Sequence, residues 1–84
     1  MRKGLLKCKV GKGMFKGEKI VAFDVVGGKV NSTIVNEKDV EGTFLKVKIC
    51  KTRRNGNEIL VRIPGEPFSS RKIWIPKSRV WVPA

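Results

Sequence analysis

The sequence contains no histidine and no tyrosine, two cysteines, and few acids: 7 Asp and Glu against 19 Lys and Arg. Each shortage closes off some chemistry. Without histidine or tyrosine, general acid–base work falls to carboxylates, lysine and cysteine. The carboxylates are Glu18, Asp24, Glu37, Asp39, Glu41, Glu58 and Glu66, and only Glu37 to Glu41 cluster, on an expected surface turn. No nucleophile-plus-base arrangement and no phosphate-cradling glycine loop occurs. The chain therefore reads as non-enzymatic, with no cofactor implied. Cys8 and Cys50 are too few for a disulfide scaffold or a zinc site, so they are expected to be reduced, structural thiols. No apolar run approaches the roughly 20 residues of a membrane helix. The start, MRKGLLKCKV, lacks the apolar stretch and cleavage site of a signal peptide. The expectation is a soluble cytoplasmic protein without membrane contact.

What is abundant is positive charge. The 84 residues carry a net charge of +12, which bounds the chain to one small domain with a modest core. Such an excess destabilises a compact state by self-repulsion, and a polyanion would relieve it. Thermal adaptation enriches Glu together with Lys, and here Glu is scarce. Nucleic acid, DNA or RNA, is therefore the expected partner, with an acidic protein as the alternative.

Apolar residues alternate with period two, and no useful stretch shows helical period. Leu5 to Val10 is the first expected strand, with Lys7 and Lys9 on its polar side. Glu18 to Val26 follows, its core face formed by Val21, Phe23 and Val25; Gly27-Gly28 turns the chain into Lys29 to Val35. Asn36 can cap one helical turn in NEKDV. Thr43 to Lys51 and Glu58 to Ile63 flank an Asn-Gly hairpin signal in TRRNGN, and Pro64 to Pro67 breaks the ladder. Ile73-Trp74-Ile75, a short 3₁₀ turn in PKSRV and Val80 to Val82 complete the chain. Five or six short strands need closure to hide their edges. The expected fold is an all-β small antiparallel barrel, SH3-like, with an OB-like barrel as the alternative.

Lys46, Lys48, Lys51, Arg53 and Arg54 lie along one strand and its hairpin tip, and Arg62 on the returning strand can join them. Such a stripe suits phosphates, whose neutralisation releases counterions. Arg71, Lys72, Lys77 and Arg79 surround Trp74, and Trp81 follows. Exposed tryptophans beside cations can stack on bases. Trp74 opposes the inward Ile73 and Ile75, so it is the preferred stacking candidate over Trp81.

The stretch GMFKGEKIVAF resembles the KOW motif of ribosomal proteins and transcription elongation factors, with Gly13, Phe15 and Gly17 in the loop and Val21 in the strand. NEILVRIPGEPFSSRKIWIPKSRV looks like the last two strands and closing turn of such SH3-like barrels. The same region resembles small archaeal chromatin proteins, which lay a three-stranded sheet on the DNA minor groove. That likeness implies that Phe15 replaces a groove-contacting tryptophan and that Ile20, Ala22 and Ile34 face the groove. Ser32 stands where that family has an arginine. The two resemblances imply a shared small-barrel fold, and the lysine–arginine face with its aromatics makes a non-enzymatic nucleic-acid-binding module, mainly electrostatic and weakly sequence-selective, the leading expectation. Phe15 and Lys16 join the candidate contacts, although Phe15 is expected to pack against the barrel end rather than face a ligand. The second reading is an SH3-like module that binds protein; the third is a small protein of a mobile element or virus whose charge is incidental.

Overall fold

A computed structural model of the chain describes residues 2–65 and 71–83. The segment at 66–70, including the expected break at Pro67, lies outside the described residues. About two thirds of the described residues are in strands, and no helix among them is long and apolar enough to cross a membrane.

The larger sheet runs β8-β7-β6-β1-β9, with β5 also pairing β6. Its strands are β1 (Arg2–Lys7), β5 (Val40–Glu41), β6 (Phe44–Arg53), β7 (Glu58–Ile63), β8 (Arg71–Pro76) and β9 (Val80–Trp81). The smaller sheet runs β2-β3-β4, from β2 (Lys9–Lys12), β3 (Glu18–Val25) and β4 (Lys29–Asn36). Every pairing is antiparallel.

The strand expected over Leu5 to Val10 is split at Cys8, where the chain passes from one sheet to the other. Residues of alternate parity then face one shared core: Leu6 and Cys8; Val21 and Phe23; Val35; Leu45 and Val47; Ile59, Val61 and Ile63; and Ile75. These are the inward positions the period-two pattern marks. Asn36 accepts the Lys38 amide on Oδ1 at 2.9 Å and caps a 3₁₀ turn at Glu37–Asp39. A second 3₁₀ turn, Lys77–Arg79, separates β8 from β9.

The expected closed barrel is not formed. The two sheets share a core, but their ladders do not join into a ring. The Val26 amide donates to the Trp74 carbonyl at 3.0 Å, and no ladder extends that contact between β3 and β8. Closure would need a continuous run of such bonds, and β3 instead spends its edges on β2 and β4.

One irregularity decides which side chains share a surface. In β6 the register passes from Ile49 opposite Val61 to Lys51 opposite Leu60, leaving Cys50 as the extra residue of a bulge. Strict alternation would place Lys51 and Arg53 on the core face with Leu45, Val47 and Ile49. The bulge shifts the phase by one, so both join Lys46 and Lys48 on the outer face.

Candidate nucleic-acid interface

The outer face of the larger sheet collects the cations by register. Lys3 of β1 opposes Lys48 of β6, Lys48 opposes Arg62 of β7, and Arg62 opposes Lys72 of β8. Four basic residues thus form one row across four strands, about 4.8 Å per strand step. Like charges in direct opposition are destabilising, so the row is a local concentration of the self-repulsion. Lys3, Lys48 and Lys72 are exposed; Arg62 is half-buried, and its Nε is buried without a hydrogen-bond partner. Among the described residues, the ion pairs are Arg53–Glu58, Arg54–Glu58 and Arg79–Asp24, so none of them involves a residue of the row. Along β1 and β6 the adjacent row runs Trp81, Leu5, Lys46. A groove of about 580 Å³ opens here, lined in part by Lys3, Lys46, Lys48 and Arg62 and also by Asp39 and Glu41.

The remaining candidates divide. Lys51 and Arg53 flank Trp74: the Arg53 guanidinium lies 3.9 Å and the Lys51 Nζ 5.9 Å from a Trp74 ring centre. Trp74 is half-buried beneath them, so the ring expected to offer a free stacking surface is already in contact with two cations of its own chain. Its face is occupied because the bulge delivers Arg53 to the outer side beside it. Arg53 Nε also donates to Glu58 Oε1 at 2.7 Å, and Arg54 Nε lies 3.2 Å from the same oxygen. Glu58 thereby offsets charge at the hairpin tip. That tip turns through Arg54, Asn55 and Gly56, all at positive φ.

Arg71 opposes Ile63 and shares its parity with Ile73 and Ile75, so it stands off the outer row although exposed. Phe15 and Lys16 lie on the β2–β3 turn of the other sheet. Phe15 is 70% exposed rather than packed. The turn is closed by Gly13 donating to the Glu18 carbonyl at 3.2 Å and Glu18 donating to the Phe15 carbonyl at 3.1 Å. A Cβ at Gly13 would come within 2.8 Å of the Glu18 backbone. This tight closure leaves Met14 and Phe15 outside the core.

Two members of the face were not among the primary candidates. Lys3 was missed because the first strand was expected to begin at Leu5; the alternation of Lys3, Leu5 and Lys7 was the available signal. Trp81, ranked below Trp74, is 65% exposed and sits in the row with Lys46. Alternation within two residues of β9 could not show that.

The smaller sheet presents a different surface. Ile20 opposes Ile34, Ala22 opposes Ser32, and Asp24 opposes Val30 on its outer side. These β3 and β4 positions hold no cation. Cys8 and Cys50 are not bonded to each other. Burial pushes the Cys8 thiol above its ordinary 9.0, with Lys7 pulling partly the other way. No protein-family model matches the chain, and neither the curated proteins nor the solved structures contain a significant match.

Proposed function

We propose that this protein is a nucleic-acid-binding module that seats a phosphate backbone on the outer face of the larger sheet. The observation that carries the reading is the row Lys3, Lys48, Arg62, Lys72, four cations in register with no carboxylate among them. A polyanion relieves the repulsion within the row and gains counterion release. Trp81, exposed beside Lys46, is the aromatic available to stack on a base. Arg53 and Arg54 contribute less, since Glu58 already holds them.

An SH3-like arrangement forms part of the proposal. Its support is the order β9-β1-β6-β7-β8, a meander whose last strand returns past a 3₁₀ turn to pair with the first. On that reading β2 to β4 are a long excursion between the first two strands of the meander. The chain has no catalytic role in this account. The basic side chains of the face suit contacts with phosphates.

The test is titration with duplex DNA, single-stranded DNA and RNA over a series of salt concentrations. Binding should weaken steeply with salt, with a log–log slope of about −0.9 per contacted phosphate on duplex DNA. Absence of binding at low salt, or a flat salt response, overturns the proposal.

A further inference from the structure

We propose that a second copy of this chain pairs with the free edge of β4, joining two smaller sheets into one continuous antiparallel sheet. β4 pairs with β3 on one side, and among the described residues no strand pairs with its other side. The sheet edges are unequal, and β5, which pairs only with β6 among the described residues, is just two residues long. β2 is four residues long and carries Lys9 and Lys12; β8 carries Arg71 and Lys72 and meets Val26; β9 is two residues long. Short length and lysine are the usual means of blunting an edge. β4, KVNSTIVN, is eight residues long, lacks proline and bulge, and bears one charge, at its first residue. In a chain of net charge +12, it is the edge at which two copies can meet with least repulsion.

The strand is also complementary to itself in one register. With Ser32 opposite Ser32 of the second copy, Val30 falls opposite Ile34 of that copy, and Ile34 opposite its Val30. Asn31 then meets Thr33, and Lys29 meets Val35, so no like charges face each other. Val30 is 64% and Ile34 52% exposed in the single chain, and Ile20 lies beside Ile34. The pairing would merge these residues into one apolar stripe across both copies, with contributions from cross-strand pairs and shared ladder bonds. Moving the register by two residues, to a centre on Thr33, puts Val30 against Asn36 and Ile34 against Ser32. The apolar matches are then lost. This inference does not depend on the nucleic-acid reading.

Sedimentation of the full chain without nucleic acid, at low and high salt, should show a concentration-dependent dimer that tightens as salt screens the net charge. Val30→Lys should weaken dimerisation by roughly tenfold or more, because it places a cation against Ile34 of the second copy. Val30→Lys combined with Ile34→Glu should restore the dimer, since the two new charges meet across the interface in this register alone. Ser32→Cys in a Cys50→Ser background should oxidise to a covalent dimer, whereas Asn36→Cys should not; circular dichroism checks the fold of each variant. A chain that stays monomeric at every concentration overturns the proposal. So does a dimer indifferent to Val30→Lys, or one that the double variant fails to restore.

Discussion

The Arg53 guanidinium lies 3.9 Å from the ring centre of Trp74, while its Nε is held by Glu58 at 2.7 Å. This three-residue clasp joins β6, β7 and β8 on the outer face of the larger sheet. It converts an aromatic that would otherwise be open to solvent into part of the structure.

Arg53→Ala should therefore act on stability more than on binding. Loss of the cation–π contact and of a partly exposed ion pair should cost about 1 kcal/mol in urea denaturation. In a Trp81→Phe background, Trp74 emission should shift to the red as the ring is uncovered. An unchanged spectrum would show that Arg53 does not cover it.

Trp81 should report the ligand. Quenching of fluorescence by single-stranded oligonucleotides should vanish in Trp81→Ala and persist in Trp74→Phe. The loss of affinity in Trp81→Ala should be about 1–3 kcal/mol if one base stacks on it.

The cationic row predicts opposite effects on stability and affinity. Lys48→Gln should raise stability by roughly 0.2–1 kcal/mol, because Lys48 opposes both Lys3 and Arg62. The same change should weaken duplex DNA binding and lower the salt slope by about 0.9. Arg54→Gln, at the Glu58-neutralised tip, should change the slope much less.

Cys8 should make stability fall at alkaline pH. Burial raises its folded-state value above the ordinary 9.0. The unfolded chain therefore releases the thiol proton first, and the contribution is lost as pH rises from about 9 through the folded value. Cys8→Ala should be less stable at neutral pH, through the cavity it leaves, yet decline less on going alkaline. In the native protein, alkylation of Cys8 should be slow and should accelerate on unfolding.

Gly13→Ala should be more damaging than its loop position suggests. The added Cβ meets the Glu18 backbone at 2.8 Å, which forces the turn open at a cost of about 1–3 kcal/mol. Thermal unfolding measures it, and Met14→Ala, at an exposed neighbouring residue, should be close to neutral.

Much of the fold was legible because strand alternation is local. Leu45, Val47 and Ile49 alternate with Lys46 and Lys48, and each lies on the face this spacing assigns. Asn36 and Gly27-Gly28 announced their turns for equally local reasons. The grouping of the basic residues was legible only in outline, since it depends on residues far apart in the chain. Lys3 and Lys72 meet the same row through β6 and β7, and no spacing in the sequence encodes that register.

By itself, then, the sequence determined an all-β chain with a marked positive excess, the inward residues of each strand, and the turns between them. Tertiary structure decided where strands change sheets and where phase shifts. Cys8 divides one expected strand between two sheets, and the bulge at Cys50 moves Lys51 and Arg53 from the core side to the outer side. It also decided that the ladders remain open, that Arg53 covers Trp74, and that Phe15 and Trp81 stand exposed. The physical reason is that side-chain parity is a property of one strand. Register, closure and exposure depend on which distant strands share hydrogen bonds and core contacts.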